Sequence, residues 1–183
     1  MIVITGRPGV GKSTVFNSVI KGLKEHGYSV YGFYCPEVRE KGVRIGFRII
    51  DIHTGDSGWL ALSLEKSVAL GYSSLGKRIG RYVVLEDDVI RIGVNALRKF
   101  YNSSNKSILG IDEIGPMELS VDELRKEIIK SLSLAEKALL VVHRNLNDRD
   151  IVEILNKKNS KMYVVTEDNR NKIHMELIQK LLT

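Results

Sequence analysis

The chain has 183 residues, of which 43% are hydrophobic and 27% charged, and its formal net charge is +6. These values are those of an ordinary globular protein with one substantial core, so we expect a single domain over residues 1–183. No apolar run approaches the ~20 residues that cross a bilayer, and the basic start and long apolar stretch of a secretion signal are missing. We therefore expect a cytoplasmic protein without membrane contact.

Strand-like and helix-like segments alternate along the first third of the chain. Apolar residues 2–5 predict a short buried strand, residues 12–25 carry apolar side chains at helical spacing, and residues 28–34 predict a second strand. Residues 44–53 predict a further strand, and the polar turn before it is too short for a crossover helix. We therefore predict an antiparallel hairpin, inserted after the first helix and extended by residues 58–62.

The rest of the chain resumes the alternation after one irregular stretch. Residues 63–80 are rich in glycine and serine, which indicates an irregular and mobile segment. The elements expected after it are a short extended piece at 82–85, helices at 87–101, 121–132, 148–155 and 169–182, and strands at 107–112, 138–142 and 162–165. This pattern predicts an α/β fold in three layers, with a mostly parallel sheet flanked by helices.

The most informative motif lies between the first strand and the first helix. Residues 6–13 match the pattern G-x-x-x-x-G-K-[ST] at every fixed position, in the strand–loop–helix context of a phosphate-binding loop (P-loop). The glycines allow backbone N–H groups to surround phosphates, and the helix N-terminus adds positive partial charge. We expect Lys12 to contact the β and γ phosphates and the Ser13 hydroxyl to bind Mg²⁺. The full set of expected nucleotide contacts in this loop is Gly6, Arg7, Pro8, Gly9, Val10, Gly11, Lys12, Ser13 and Thr14.

A second motif ends in two carboxylates. Residues 107–111 are mostly apolar and lead into Asp112 and Glu113. In P-loop proteins such a strand delivers an aspartate to Mg²⁺, so we predict that Asp112 is a metal ligand. Glu113 is expected just beyond the strand end, where it would polarise an attacking water. The alternative is structural, since both acids also suit the start of a solvated turn that leads to Gly115 and Pro116.

Five segments of the chain, residues 6–13, 32–39, 44–47, 111–119 and 166–170, occur together in a characteristic order. Together they resemble the thermophile-type nucleoside-triphosphatase family, which also includes the vertebrate cancer-related nucleoside triphosphatases. The stretch I-D-E-I-G-P-M-E-L at 111–119 is the most specific of them. The resemblance implies a RecA-like P-loop fold and slow, Mg²⁺-dependent hydrolysis of ATP, GTP and other nucleoside triphosphates to diphosphate and phosphate. It does not imply a physiological role.

Two basic residues further along the chain are additional candidates. Arg144 follows His143 after a strand whose end lies beside the P-loop in this fold, where an arginine would stabilise charge in the transition state. Arg170 follows the last strand, where it would stack on the nucleobase. The alternatives are structural: a basic pair that opens an exposed loop at the first position, and helix capping by Asp168 or Asn169 at the second. We favour capping for Asp168.

The remaining polar residues carry weaker signals. Arg39, Arg44 and Arg48 lie on the predicted hairpin, where they face either the nucleotide, an acidic partner or solvent. Cys35 is the only cysteine, which excludes an intrachain disulfide and indicates a reduced, partly buried thiol. Four histidines without close spacing give no zinc signature.

Three functions are compatible with these motifs. The leading one is a Mg²⁺-dependent phosphohydrolase acting on nucleoside triphosphates, with Lys12, Glu113 and Arg144 as catalytic residues. The second is a nucleotide or small-molecule kinase, in which Arg78 and Arg81 would belong to a lid. The third is a nucleotide-switched module that binds RNA, DNA or a protein. The net charge leaves nucleic acid open, but no basic run or known module indicates it. No pattern indicates base preference or oligomeric state.

Overall fold

The computed structural model describes residues 1–72, 76–103 and 106–183, and within them ten strands form one sheet. The strands are β1 (Ile2–Thr5), β2 (Ser29–Tyr34), β3 (Glu37–Glu40), β4 (Val43–Asp51), β5 (Ser57–Ser63), β6 (Arg78–Ile79), β7 (Tyr82–Val84), β8 (Ser107–Ile114), β9 (Ala138–Val142) and β10 (Lys161–Val164). The helices are α1 (Lys12–Glu25), α2 (Leu64–Ala69), α3 (Glu86–Val89), α4 (Asn95–Tyr101), α5 (Pro116–Leu119), α6 (Asp122–Leu134), α7 (Arg149–Lys157) and α8 (Ile173–Leu182). A π-helical segment (Ile90–Val94) joins α3 to α4. None of these helices is both long and apolar enough to cross a membrane.

The sheet consists of a parallel half and an antiparallel half. Its order is β10-β1-β9-β8-β2-β4-β5-β7-β6, with β3 paired to β4. The strands β10, β1, β9, β8 and β2 are parallel to one another, and all other pairs are antiparallel. The C-terminal ends of β1 and β8 therefore lie at the same sheet edge, separated by β9. The predicted α/β fold with an antiparallel insertion is confirmed.

Helices cover both faces of the parallel half and complete three layers. On one face, α1 and α8 pack over Ile2 and Ile4 of β1 and their neighbours in the sheet. On the other face, the helix over residues 86–101 together with α6 and α7 packs over Val3 and the matching residues of β8 and β9. Successive residues of β1 therefore enter opposite cores, as expected of a strand that is buried on both sides.

The antiparallel insertion is larger than the predicted hairpin. β3 and β4 form a tight hairpin that turns at Lys41 and Gly42, whose φ angles are 48° and 79°. The strands predicted as hairpin partners, β2 and β4, pair only at Phe33 and Tyr34. β5, β7 and β6 then extend the sheet. The sequence of β3, E-V-R-E, hides this strand because three of its four residues are charged, which suits an exposed edge.

The stretch after β5 is more ordered than its composition indicates. Leu64–Ala69 form α2, which begins where Ser63 Oγ accepts a hydrogen bond from the Lys66 N–H. Arg78–Ile79 form β6, which pairs with β7. The prediction of an irregular segment over 63–80 is therefore wrong at both places, because a local serine cap and a strand partner supply the missing hydrogen bonds. Residues 73–75, which belong to the same prediction, lie outside the described residues.

Two element boundaries differ from the prediction in ways that bear on the site. β8 continues to Ile114 because its pairing with β9 extends past Asp112, so Glu113 lies within the strand and not beyond it. Helix α8 begins at Ile173, four residues later than predicted, and its first turn has no side-chain cap. The predicted capping role of Asp168 is therefore wrong.

Two aspartates attach the antiparallel half to the helix over residues 86–101. The buried Asp51 carboxylate accepts hydrogen bonds from the His53 N–H at 2.8 Å and from Lys99 Nζ at 2.7 Å. Burial opposes the ionisation of Asp51, but Lys99 and the backbone donors outweigh it and lower the pKa of this carboxyl. Asp88 accepts the Trp59 N–H at 2.7 Å. Both contacts fix the position of β4 and β5 against the helix.

A close approach of β2 to β8 sets the position of the acidic strand end. Gly32 pairs with Gly110 and has a φ of +122°. A methyl group at Gly32 would lie 2.0 Å from the Gly110 carbonyl oxygen, which no real Cβ tolerates. Two residues further on, the same strand pair aligns Tyr34 with Asp112. The absence of a side chain at Gly32 therefore allows the close pairing of β2 with β8, and this pairing places Asp112 at the site.

We expect Gly32→Ala to lower the free energy of unfolding by about 3 kcal/mol or more, because the backbones of β2 and β8 must separate. The matched control is Gly55→Ala, at a φ of +80° with no atom within 4 Å of the added methyl, where backbone strain alone costs about 1 kcal/mol. Urea unfolding followed by circular dichroism measures both. Equal losses for the two variants would show that the approach of the strands is not the constraint.

Candidate active site

The loop between β1 and α1 is shaped to surround an anion. Gly9 and Gly11 have φ angles of 75° and 110°, which favour glycine at both positions. Lys12 Nζ donates hydrogen bonds to the carbonyl oxygens of Gly6 and Arg7, both at 3.2 Å, so its ammonium group lies across the loop. The first turn of α1 has no side-chain cap and no acidic residue. Its N–H groups and positive end are therefore available to phosphates.

Asp112 lies beside this loop in a buried position. Asp112 is only 3% exposed, and the Ser13 hydroxyl is near enough to its carboxylate to stabilise the ionised form. Burial raises the pKa of Asp112, the Ser13 hydroxyl lowers it, the charge of Glu113 raises it and that of Lys12 lowers it. The net result is a pKa of about 7. The ionisation of Asp112 thus depends on Ser13 and Lys12 of the P-loop.

The Ser13–Asp112 pair fits a Mg²⁺ ion. A hydroxyl and a carboxylate are the hard oxygen donors that this ion prefers, and Mg²⁺ commonly binds through one or two protein groups together with phosphates and water. In residues 1–72, 76–103 and 106–183, no group of three or more His, Cys, Asp or Glu side chains is placed to hold a metal. The metal-binding roles of Ser13 and Asp112 stay predictions.

Glu113 shares its surroundings with two further side chains. Its peptide bond to Asp112 is cis. A methyl group at Gly115 would lie 3.3 Å from Glu113 Oε1, 3.1 Å from Glu118 Oε2 and 3.5 Å from His143 Cβ. Two carboxylates and an imidazole-bearing residue therefore surround one point at the sheet edge, next to Asp112. The catalytic role of Glu113 stays a prediction, but its placement beside the metal-binding pair is compatible with it.

Glu118 is the residue of this group that the sequence analysis missed. It is 5% exposed, and the backbone N–H groups of Glu118 and Gly115 are near its carboxylate. Burial, followed by the charges of Glu113 and Asp112, raises the pKa of Glu118 to about 8, although these N–H groups favour the ionised form. A signal was present, because Pro116 and Glu118 occupy the first and third positions of α5, where helices favour proline and glutamate.

Arg144 lies on the opposite side of the P-loop from Arg170. The exposed Arg144 follows β9 and lines a cavity together with Gly6 and Arg7. Among the described residues, the side chains of Arg7 and Arg144 have no hydrogen-bond or ion-pair partner. The Arg7 side chain is exposed to solvent. The structure places Arg144 near the start of the loop, and its predicted contact with the γ phosphate stays a prediction.

Arg170 contacts the P-loop at the start of α1. Its Cδ would lie 3.6 Å from a methyl group at Gly11. Asn169 fixes the preceding turn, since its Oδ1 accepts the Thr166 N–H and its Nδ2 donates to the Val164 carbonyl, both at 2.9 Å. The structure thus brings Arg170 to the nucleotide loop and gives Asn169 a structural role. Contact of Arg170 with a nucleobase stays a prediction.

The hairpin arginines have partners within the antiparallel half. Arg39 and Arg44 both pair with Glu37, and Arg48 donates to Ser57 and lies over the Trp59 ring. These contacts account for the three arginines without a nucleotide. The remaining sequence prediction, a partly buried thiol at Cys35, is confirmed. Burial, with the nearby charges of Glu118 and Asp112, raises the pKa of this thiol well above its usual value, so it is a poor nucleophile.

The fold and the site together define a class of protein. A parallel sheet with helices on both faces carries a glycine-rich loop after β1, and a buried aspartate near the end of β8 lies close to the serine of that loop. This is the arrangement of a P-loop nucleotide-binding protein of the α/β class.

Comparisons with known proteins identify the family within this class. A family model described as NTPase matches residues 1–178. The nucleoside-triphosphatase THEP1 of Sulfurisphaera tokodaii is 40% identical over 183 residues, which cover 100% of this chain and 95% of that protein. That of Saccharolobus solfataricus is 41% identical over 182 residues, covering 100% and 93%.

Solved structures agree with the sequence comparisons. The crystal structure of THEP1 from Aquifex aeolicus matches with a TM-score of 0.81 and 25% identity, covering 100% of this chain and 99% of that one. The solution structure of a human cancer-related nucleoside triphosphatase matches with a TM-score of 0.78 and 30% identity, covering 98% and 95%. The chain therefore belongs to the nucleoside-triphosphatase family, and the expectation of a hydrolytic enzyme is confirmed.

The dependence of the Asp112 pKa on Lys12 can be tested without substrate. In protein free of nucleotide and metal, Asp112 should titrate near pH 7, and Lys12→Met should raise its pKa because the stabilising cation is lost. Lys21→Met, on the exposed side of α1, is the control and should leave it unchanged. The ¹³C shift of the Asp112 carboxyl carbon, followed against pH, reports the value. Titration near the ordinary value of about 4 would contradict the described burial.

Proposed function

We propose that the protein is a Mg²⁺-dependent phosphohydrolase that converts ATP, GTP and other nucleoside triphosphates to diphosphate and phosphate, with slow turnover. One observation carries the proposal. Glu113 directly follows Asp112 in the strand that faces the P-loop, so a free carboxylate stands next to the expected metal site. A hydrolase requires a base at this point, whereas a kinase must keep water away from the γ phosphate.

Nucleotide binding rests on the backbone of residues 6–13 and on Lys12. In the structure Lys12 Nζ is bound to two carbonyl oxygens of the loop, and phosphate oxygens would replace them as stronger, charged acceptors. Ser13 and Asp112 would hold Mg²⁺. When bound, the ion would neutralise charge on the β and γ phosphates.

Hydrolysis then requires only an oriented water and stabilised charge. Glu113 would accept a proton from the water whose oxygen bonds to the γ phosphorus. The bond between the γ phosphorus and the bridging oxygen would break, and that oxygen would leave as part of the diphosphate. His143 and Glu118 lie beside Glu113 around Gly115 and limit the positions that its carboxylate can take. Arg144 would supply positive charge in the transition state.

The proposed slow turnover and broad base tolerance follow from the two arginines. Arg144 is exposed and unpaired among the described residues, so nothing holds it ready for the transition state. Arg170, placed at Gly11, would stack on the face of the nucleobase. Stacking discriminates weakly between bases because every base offers a π face. We also propose that residues 1–183 act as one domain, since both cores lie against one continuous sheet.

The kinase alternative receives less support. Arg78 belongs to β6, and Arg81 donates to the Tyr82 hydroxyl and lies over the Tyr82 ring. Both residues are thus part of a short hairpin at the β6 edge of the sheet, five strands away from β8. They do not form the lid that a kinase of this kind would need. No observation favours the nucleic-acid-binding module.

We expect Glu113→Gln to reduce phosphate release from ATP and GTP by about 100-fold while nucleotide binding persists, because the base is lost but the loop is intact. Lys12→Ala should instead weaken nucleotide binding. The matched control is Glu136→Gln, an exposed residue before β9 at the opposite sheet edge, which should behave as the wild type. Wild-type protein that binds nucleotide and releases no phosphate would refute the hydrolase; unchanged turnover in Glu113→Gln would refute only the proposed base.

Metal dependence is tested by removal and replacement. Chelation with EDTA should abolish phosphate release, and added Mg²⁺ should restore it. Asp112→Asn should require about tenfold more Mg²⁺ for half-maximal activity, since a neutral amide is a poorer ligand than a carboxylate. Asp122→Asn, an exposed acid in the first turn of α6, is the control. Activity that persists in EDTA would show that the metal is not needed.

A further inference from the structure

The cavity that Arg144 lines with Gly6 and Arg7 has a volume of about 500 Å³ and extends from the P-loop along the sheet face that carries α7. We call it the α7 cavity. Its wall is apolar and includes Val3, Leu155, Met162 and Val164. The register pairs Met162 with the buried Val3, so both side chains lie on one face of the sheet. Met162 and Val164 are nevertheless 65% and 55% exposed. This cavity therefore presents an uncovered apolar surface of the size that small ligands fill.

The mouth of the α7 cavity is positively charged. Arg7 and Arg144 line it, with His143 between β9 and Arg144, and no aspartate or glutamate contributes to its wall. As described above, neither guanidinium has a partner. The other large cavity, of about 550 Å³ beside α1, differs because Glu25 and Asp51 line it and balance the charges of Lys21 and Lys24. The α7 cavity, whose charged lining residues are both arginines, therefore favours an anion.

The far end of the α7 cavity is polar. Ser160 and Asn156 line it, and Ser160 precedes β10, so it lies at the opposite end of β1 from Arg7. Ser160 Oγ is buried and has no hydrogen-bond partner within the described residues. A buried hydroxyl without a partner loses its hydration uncompensated. Rotation about the Ser160 Cα–Cβ bond would turn this hydroxyl into the cavity, where a ligand group would supply the missing bond. This is a second, independent indication of a ligand.

We propose that the α7 cavity binds an elongated organic anion, with its carboxylate or phosphate at Arg7 and Arg144, an apolar body along Met162 and Val164, and a hydrogen-bonding group at Ser160. The ligand is distinct from the nucleotide. Because Gly6 and Arg7 belong to both sites, a bound anion adds negative charge beside the loop that accepts phosphates. Its occupancy weakens nucleotide binding, and nucleotide weakens its binding by the same factor.

The nucleobase of a bound nucleotide does not account for this cavity. Arg170, the residue proposed to contact the base, lies against Gly11 at the start of α1. Helix α1 packs on the sheet face of Ile4, whereas the α7 cavity lies on the face of Val3. The two positions are therefore on opposite faces of β1, with the phosphates between them.

The test uses 4′-hydroxybiphenyl-4-carboxylate as the probe, a rigid apolar rod with a carboxylate at one end and a hydroxyl at the other. Titration of protein with ¹³C-labelled methionine methyl groups should shift the Met162 signal with a Kd of ~0.1–1 mM, an ordinary affinity for a ligand of this size. The uncharged carboxamide analogue should bind about fivefold or more weakly, because its contact with the arginines is not charge-assisted.

Two matched variants test whether the probe binds in the α7 cavity. Met162→Glu puts a carboxylate on the cavity wall and should weaken probe binding, measured by calorimetry, by about tenfold or more. Met175→Glu makes the same change at a 57% exposed position on α8 and should leave binding unchanged. Saturating probe should raise the Kd of a non-hydrolysed ATP analogue about fivefold, to a plateau.

Three results would overturn the proposal: no saturable shift of Met162 below 10 mM probe (about ten times the weakest expected Kd), equal affinity for acid and amide, or a nucleotide Kd that rises without a plateau. The last result would mean that the probe occupies the nucleotide site. The comparison of acid with amide uses wild-type protein and so does not depend on the folding of any variant. All readouts measure binding, so they stand whether or not the protein hydrolyses nucleotides.

Discussion

The burial of Asp112 is the constraint around which the site is organised. A carboxylate in a residue that is 3% exposed ionises only with help, and Ser13 and Lys12 of the P-loop provide it. The same two residues are the ones expected to meet a metal and phosphates. The strand order that separates β1 from β8 by one strand brings these groups together, and the close pairing of Gly32 with Gly110 sets how far β8 reaches. The strand order, the register of β8 and the charges of the P-loop therefore all determine the position and the ionisation of Asp112.

The parts of the site that were predictable from sequence are those whose chemistry is local. The P-loop was recognised from its glycines and one lysine, because these residues lie within a short stretch of sequence and need no tertiary contact to be identified. Asp112 was found because an apolar strand ends in acid. Glu118 was not, because its importance arises from burial beside Glu113, which depends on how α5 packs against the sheet. Its helix-start signal was readable but indicated only a cap.

The antiparallel half shows why strand prediction stopped short. Hydrophobic pattern located β2, β4 and β5, but partner choice depends on long-range register, which no local pattern contains. β3 was not predicted because three of its four residues are charged, as is common in an exposed edge strand. α2 was not predicted because the glycine and serine content of the surrounding stretch indicated a loop, despite the cap at Ser63. The predicted start of the final helix was four residues too early because residues 169–172 belong to a turn, and the hydrogen bonds by which Asn169 holds this turn depend on the tertiary structure.

The hydrogen bond from Asn169 Nδ2 to the Val164 carbonyl has a consequence for the behaviour of the molecule in solution. β10 ends the sheet on one side, and an unpaired apolar strand there is a template on which a second chain can polymerise. The amide occupies an acceptor that such a chain would need, and Lys161 places a charge at the start of the strand. On the other side, β6 is only two residues long. The residue that holds the turn before Arg170 thus also removes one backbone acceptor from an edge strand whose Met162 and Val164 side chains are exposed.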